Sequence, residues 1–328
     1  MKVSLKNIII PSIPLTILLV IGFIGLWFLA YLGTKISIPS TSAAVNSLES
    51  FVQTDSLLTN VICIILTLLN SFLLAQINNR FTIIRTRTFL PVFTFLLLMA
   101  SWGETHTSIS ANLGLTVMTF ALFFLFSTSR DRKASEQAFM GSLFISISSL
   151  FISPLIFIVP ICWIGLLIFQ SFSLRTFLAS IFGTLAPWVL FIAVRYLFVQ
   201  HIDFSTLLIL KPDFQFNFSL TSLPIIIYLA LFTCFLIISI FGVFSLSNGD
   251  AINTRNKLSF LILLIVSLIV LAFIFRDQTT LFLPLIAMVF SLIFAHPFTL
   301  KNTNFYGISF AIFCFINVAY VISKFILI

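Results

Sequence analysis

Long apolar runs alternate with short polar stretches along the whole chain of 328 residues. A helix of roughly 20 residues crosses the hydrocarbon core of a bilayer, and eleven of these runs approach that length. No polar stretch between them is long enough to form a soluble domain. The predicted spans are Pro14–Leu32, Leu57–Ile77, Phe89–Trp102, Ile109–Phe126, Ala138–Ile152, Leu155–Gln170, Phe177–Phe198, Ser222–Phe244, Leu258–Phe275, Leu281–His296 and Phe305–Lys324.

The pattern predicts an all-α fold, a polytopic transmembrane helical bundle formed as one domain over residues 1–328. The third, fifth and sixth spans are short, and only Ser153 and Pro154 separate the fifth from the sixth, which suits a tight turn. The first apolar run follows Lys2 and Lys6, but it is longer than the core of a signal peptide and precedes no small-residue cleavage site. We expect it to be retained as a membrane span.

Composition excludes a water-soluble globule. Hydrophobic residues make up 60% of the chain, charged residues only 8%, and the mean hydropathy is +1.21. A soluble domain carries about a quarter charged residues to keep its surface hydrated. The four cysteines fall on separate predicted helices without paired spacing, so the sequence signals neither a disulfide framework nor a metal site.

Charge predicts the orientation in the membrane. With the N-terminus in the cytoplasm and the C-terminus in the periplasm, twelve of the seventeen Lys and Arg residues face the cytoplasm and five face the other side. This is the direction that the positive-inside rule requires. The nine acids divide the other way, six outside and three inside. We therefore predict a bacterial-type inner membrane, with the basic loops facing anionic headgroups rather than nucleic acid.

Polar residues within the spans are few. No Asp, Glu, Lys, Arg or His lies near the middle of a predicted span, which counts against a proton pump or an ion-coupled transporter. One face of the fifth span carries four serines, Ser142, Ser146, Ser149 and Ser153. Small hydroxyl residues let a neighbouring helix approach closely, so a packing face is favoured over a polar substrate groove. Asn70 and Asn317 are interpreted as amides that hydrogen bond between helices.

Acids and a histidine mark the loops that are predicted to face the periplasm. Glu49 and Asp55 lie in the long first outer loop, while Glu104 and His106 lie two residues apart in the very short second one. Groups held near the membrane surface in this way can orient a hydroxyl or take a proton. The alternative is that all four are ordinary solvated loop residues.

Two later outer cations, Arg195 and Arg276, run against the positive-inside bias. They either bind the phosphate of a lipid headgroup or anchor helix ends by reaching the interface. At the level of sequence, both interpretations stay open.

Two further stretches stand out. One runs from Gln76 to Arg80 and continues as Arg-x-Arg-Thr-Phe-Leu-Pro up to Pro91; the other runs from Ala138 to Pro154, with Trp-Ile-Gly-Leu-Leu-Ile-Phe at residues 163–169. Both resemble an uncharacterised family of multi-pass inner-membrane proteins from Bacteroidota, known as a domain of unknown function. The resemblance spans most of the chain and implies no assigned function.

The first six spans have an inside N-terminus, a long acidic first outer loop, a short acidic second one, and two short helices joined near Pro154 after a small-residue run from Gly141. This arrangement resembles the polytopic C-type glycosyltransferases, which use lipid-linked sugar donors. The chain departs from their pattern in three respects. It has no Asp-x-Asp or Glu-x-Asp pair and no lysine in the small-residue run, and we expect no extramembrane domain after the last span.

The second resemblance implies an envelope glycosyltransferase-like protein that transfers a sugar from a polyprenyl-phosphate donor at the periplasmic face. Glu49 or Asp55 would then act as the base, and Glu104 and His106 would orient the acceptor or steady a divalent metal. One of the two outer arginines would hold the donor phosphate. No metal site or other cofactor is signalled. The alternative is a non-catalytic subunit, scaffold or lipid-handling component of an envelope complex, with membrane lipids and other envelope proteins as its partners.

Overall fold

The computed structural model describes residues 13–32, 56–86, 88–129, 131, 134–199, 223–301 and 303–326. These residues form eleven α-helices and four short 3-10 helices, and they contain no β-strand, so the all-α fold class is confirmed. The α-helices are α1 Ile13–Leu32, α2 Ser56–Phe81, α3 Leu90–Ser101, α4 Ile109–Ser127, α5 Ser135–Phe151, α6 Val159–Ile168, α7 Leu174–Val199, α8 Leu223–Leu246, α9 Ile252–Ile274, α10 Thr279–Leu300 and α11 Asn304–Ile326. The 3-10 helices are Gly103–His106, Ser153–Ile158, Ser247–Gly249 and Arg276–Gln278.

Length and composition make this a helical membrane protein. Seven of the described helices, α2, α4 and α7 to α11, are long and apolar enough to cross a membrane. Shorter apolar stretches are Ile17–Ala30, Leu90–Ser101 and Ser153–Ile168. Large apolar side chains such as Phe182 and Leu190 on α7 are exposed. Because so much exposed apolar surface is incompatible with water, lipid must cover it.

The sixth predicted span differs from the structure. The sequence predicts one helix over Leu155–Gln170, but the chain forms a 3-10 helix at Ser153–Ile158 and then α6, which has only ten residues. Pro154 and Pro160 stand near the starts of these two pieces, because proline lacks the N–H that a helix interior needs. Gln170 follows α6 in the left-handed conformation, with φ of 58°. At about 15 Å, α6 is too short to cross a bilayer by itself.

α10 is the central helix of the bundle and packs against α3, α4, α8 and α9. Its side chains from Leu281 to Thr299 are almost entirely buried. A helix that is apolar on every side has no face suited to water, so other helices cover it. α7 lies at the opposite extreme, since it contacts the bundle mainly through α5.

Short connections make successive helices antiparallel, which gathers the connecting segments at two ends. The Arg80 end contains the ends of α2, α4, α6 and α10 and the start of α9; there Asn256 Nδ2 donates to the Ile168 carbonyl oxygen at 2.8 Å. The Glu104 end contains the α3–α4 connection and the start of α8; there Trp102 Nε1 donates to the Tyr228 hydroxyl at 2.9 Å. The sequence predicts that the Arg80 end faces the cytoplasm and the Glu104 end the periplasm.

Candidate functional site

Of the four residues predicted for acid–base chemistry, the structure describes two. Glu104 and His106 share the single 3-10 turn that joins α3 to α4 at the Glu104 end. Glu104 is half-buried and His106 is fully buried. Glu49 and Asp55 lie outside the described residues, so their roles stay predictions.

The two predicted phosphate-binding arginines lie on separate parts of the fold. Arg276 opens the 3-10 turn between α9 and α10 and is half-buried. Arg195, also half-buried, lies near the end of α7, which packs mainly on α5. The turn that carries Glu104 packs on α1, α2 and α10. Of the two arginines, Arg276 is therefore the one that shares a neighbouring helix, α10, with Glu104.

His106 is built into the packing between helices. Its ring has no exposed surface and stacks on Trp27 of α1, with ring centres 3.6 Å apart and planes 18° from parallel. Its Nε2 lies 2.9 Å from the Met99 carbonyl oxygen, and because a carbonyl only accepts, Nε2 carries a hydrogen there. Trp27 in turn donates its indole N–H to Asn60 of α2. The histidine thus joins α1 and α3 and contributes to holding the Glu104 end together.

Other polar groups at the Glu104 end also form hydrogen bonds between helices. Asn317 Oδ1 on α11 accepts hydrogen bonds from Ser101 Oγ at 3.1 Å and from the Tyr228 hydroxyl at 2.9 Å. Asn70 Nδ2 on α2 donates to the Asn112 carbonyl oxygen of α4 at 3.4 Å. The prediction that Asn70 and Asn317 hydrogen bond between helices is confirmed.

The serine face of α5 is a packing face, as the spacing predicts. Ser146 Oγ donates to the Thr184 carbonyl oxygen of α7 at 2.6 Å, and Trp188 Nε1 on α7 donates to Ser149 Oγ at 3.1 Å. A Cβ atom added at Gly183 would overlap the Ser142 hydroxyl oxygen. The two helices therefore touch backbone to backbone along this face.

A polar cavity of about 370 Å³ opens at the Arg80 end, between the ends of α2 and α4 and the start of α9. Its lining contains two cations and no carboxylate among the described residues. The lining residues are Arg80, Phe81, Thr82, Phe126, Ser127, Ser129, Asn253 and Lys257. The volume lies near the lower limit for small-molecule sites, which suits a single headgroup-sized ligand.

The two cations are held by aromatic rings and a helix end. Lys257 is 3% exposed; its Nζ donates to the Phe81 carbonyl oxygen at 3.3 Å and lies 4.9 Å from the centre of the Phe81 ring. That carbonyl terminates α2, where the helix dipole favours a positive charge. Arg80 Cζ lies 4.6 Å from the centre of the Phe123 ring. Cation–π contacts hold both side chains while leaving most of their N–H groups free to donate.

The neutral groups of the cavity also present donors. Ser129 Oγ donates to Asn253 Oδ1, which orients the Asn253 amide and leaves its Nδ2 hydrogens available. Ser127 Oγ donates to the Phe123 carbonyl oxygen at 2.8 Å. The cavity can therefore offer N–H donors from Arg80, Lys257 and Asn253.

Thr82, in the cavity wall, has a backbone conformation that is unfavourable for its residue type. Its φ is 46°, in the left-handed region that a β-branched residue rarely adopts. Thr254 Oγ1 of α9 donates to the Thr82 carbonyl oxygen at 3.4 Å, and the Ile84 amide donates to Asn78 Oδ1 at 3.1 Å. Backbone strain that is held in place by its surroundings is typical of ligand-binding sites.

A buried charge cluster lies beside the cavity. Arg85 Nη2 is 2.8 Å from Asp250 Oδ1, and His296 Nε2 is 3.2 Å from Asp250 Oδ2. The side chains of Asp250 and His296 are 1% and 0% exposed. Neither Arg80 nor Lys257 has a carboxylate within ion-pair distance in the part of the chain that the structure describes. Arg85 is thus neutralised by the protein, whereas the two cavity cations are not.

The sequence did not single out the residues of the Arg80 end. Arg85, Lys257 and Asp250 entered it only as charges that fix the topology, Arg80 also as the end of a stretch that resembles a family, and His296 only as the end of a span. The available signal was Asp250 itself, one of only three acids on the side that carries twelve of the basic residues. Across the described ranges, no group of three or more His, Cys, Asp or Glu residues is placed to hold a metal ion.

Comparison with known proteins identifies a family but no function. No curated protein and no solved structure matches the chain. One family model, described as a family of unknown function, matches residues 6–326, a range that includes both ends of the bundle. This agrees with the predicted membership of an uncharacterised family over most of the chain. The chain belongs to the Family of unknown function (DUF6427).

Proposed function

We propose that this protein is a lipid-handling component of the inner membrane that binds a phosphate-bearing ligand at its Arg80 end, on the cytoplasmic side. The observation that carries the proposal is the cavity between α2, α4 and α9, whose described lining presents Arg80 and Lys257 without a carboxylate. A polar site with unneutralised cations is complementary to an anion, and phosphate is the anion that a membrane surface supplies.

Burial and local structure add to this argument. A buried lysine is costly unless a partner compensates its charge. The Phe81 carbonyl oxygen supplies one hydrogen bond to Lys257, and a bound anion would supply the charge. The strained backbone of Thr82 and the hydrogen bond between Ser129 and Asn253 fix the cavity walls before any ligand arrives. Such preorganisation favours binding, because little ordering remains to be done when the ligand enters.

Sugar transfer at the Glu104 end stays a prediction, and the geometry supports it less well. The ring of His106 is stacked on Trp27, and its Nε2 is bonded to a backbone carbonyl. The transferase hypothesis is tested by substituting the predicted carboxylates. If Glu49→Gln, Asp55→Asn and Glu104→Gln together still complement a deletion strain fully, the transferase hypothesis is excluded.

The binding proposal is tested with purified protein in detergent, using native mass spectrometry to count bound phosphate-bearing lipids. Arg80→Gln should lose most of the bound anionic lipid, because it removes one of the two cations that line the cavity. The variant should stay folded, because Arg80 is exposed and makes no hydrogen bond on which the described fold depends. Arg255→Gln is the matched control, since Arg255 is an exposed cation on the same turn of α9 as Lys257 but does not line the cavity. Equal lipid retention by both variants would contradict the proposal.

A further inference from the structure

We infer that the ligand of the Arg80 cavity is a phosphate monoester carrying two negative charges, so that the site selects monoester headgroups over diester and zwitterionic ones. This inference rests on the binding function proposed above and specifies its substrate class. It depends on the number and kind of groups that line the cavity.

Charge is the first part of the argument. Arg80 and Lys257 bring two positive charges to the cavity, and its described lining has no acid to neutralise either of them. Asp250, the nearby carboxylate, is already shared between Arg85 and His296. A monoester phosphate carries close to two negative charges above pH 7, whereas a diester carries one. Only the monoester neutralises both cations, and a diester leaves one of them uncompensated.

The donor groups lead to the same conclusion. The cavity presents three separate sets of N–H donors: the Arg80 guanidinium, the Lys257 ammonium and the Asn253 amide. A terminal phosphate exposes three oxygens that accept such bonds, while a phosphodiester exposes only two unesterified oxygens. A monoester therefore gives each of the three donor groups an oxygen of its own, whereas a diester must share two oxygens among them.

Zwitterionic headgroups are disfavoured by the same lining. Their ammonium group needs a carboxylate or a free aromatic face, and the described lining has no carboxylate. The nearby rings already carry the protein's own cations, since Lys257 Nζ lies 4.9 Å from the Phe81 ring centre and Arg80 Cζ lies 4.6 Å from the Phe123 ring centre. A third cation in this space would be repelled by both side chains.

The experiment compares defined lipids in nanodiscs at pH 7.4 and constant ionic strength. Phosphatidic acid, a monoester, should bind at least about tenfold more tightly than phosphatidylglycerol, a diester, because it brings one more negative charge and one more unesterified oxygen. Phosphatidylethanolamine should bind most weakly. Arg80→Gln should reduce the affinity for phosphatidic acid to about the affinity for phosphatidylglycerol. Arg255→Gln should leave the difference between the two affinities unchanged.

Competition with soluble phosphates distinguishes a lipid ligand from a soluble one. If glycerol 3-phosphate or inorganic phosphate displaces phosphatidic acid at comparable concentration, the monoester inference is supported and the ligand is a soluble phosphate. If neither displaces it, the ligand is the lipid. Equal affinity for phosphatidic acid and phosphatidylglycerol, with both reduced in Arg80→Gln, would overturn the monoester inference and leave the binding function standing. Affinities that no substitution in the cavity changes would overturn both.

Discussion

The ion pairs of Asp250 determine which cations at the Arg80 end remain available to bind a ligand. A carboxylate with 1% exposure must be paired, because an isolated buried charge costs several kcal/mol or more. Asp250 is paired twice, by Arg85 from the segment after α2 and by His296 from α10. The same pairing connects the segment after α2 to the central helix, α10. Arg80 and Lys257 are excluded from this pairing, and this leaves their charges free for a ligand.

His106 is expected to matter for stability. His106→Ala removes the stack on Trp27 and the hydrogen bond to the Met99 carbonyl oxygen, and it leaves a cavity beside α1. We expect a loss of about 2–4 kcal/mol in the free energy of unfolding. The measurement is thermal unfolding in detergent. Thr107→Ala, at a half-buried neighbour in the same connection, serves as the control and should change the stability by less than about 0.5 kcal/mol.

A different result would restore a chemical role for this histidine. If His106→Ala is as stable as the Thr107→Ala control but fails to complement a deletion strain, the ring acts on a substrate rather than on the fold. The transferase hypothesis would then regain its strongest described residue.

At the scale of elements, the α5–α7 pair shows how small residues determine packing. The Ser146 hydroxyl donates to a main-chain carbonyl of α7, and Gly183 faces Ser142 and the Phe139 carbonyl oxygen at close range. Since lipid is as apolar as leucine, burial of apolar surface contributes little to helix association in a bilayer. Close backbone approach and interhelical hydrogen bonds supply the attraction instead.

Substitution of one glycine tests this packing. Gly183→Ala places a Cβ atom where Ser142 Oγ and the Phe139 carbonyl oxygen already lie, so α7 must move away from α5. We expect a loss of roughly 1–3 kcal/mol, measured by chemical unfolding in detergent. Gly25→Ala on α1 is the control, because no atom lies within 4 Å of a Cβ there, and it should be neutral or slightly stabilising. Equal effects of the two substitutions would show that the contact between α5 and α7 contributes little.

The helices could be predicted from this sequence because its apolar runs are long and mostly uninterrupted. Eleven predicted runs correspond to eleven α-helices in the described residues, and most of the predicted ends differ by a few residues only. The sixth run is helical as predicted, over Ser153–Ile168, but it begins as a 3-10 helix and becomes α-helical only near Pro160, a change that hydropathy does not register.

The candidate site was much less predictable than the elements. Asn253 and Lys257 lie one turn apart on α9, but Arg80 lies at the end of α2, far earlier in the sequence, and no spacing shows that it meets them. A charge near a helix end is indistinguishable from an ordinary positive-inside charge until its neighbours are known. The sequence likewise places His106 in a short loop, but only the contact with Trp27 shows that its ring points inward.

For the molecule as a whole, the two ends differ in what their polar groups do. At the Glu104 end, Trp102, Tyr228 and Asn317 bond to one another across three segments. At the Arg80 end, Arg80 and Lys257 face a cavity without an acid among its described lining. The polar groups of the Glu104 end therefore hold the bundle together, while the Arg80 end combines such contacts, around Asp250, with a cavity suited to binding an anion. The orientation in the membrane then decides which leaflet or compartment supplies the ligand.

Orientation is tested by cysteine labelling. The four native cysteines are first replaced, because Cys234 is exposed and Cys314 is half-buried. Single cysteines are then introduced at Asp277, exposed at the Glu104 end, and at Ala251, exposed at the Arg80 end. With the Arg80 end in the cytoplasm, a membrane-impermeant maleimide added to cells should label Asp277→Cys at once and Ala251→Cys only after lysis. The reverse pattern would move the phosphate site to the periplasmic leaflet, where the anionic surface of the cytoplasmic leaflet could not supply its ligand.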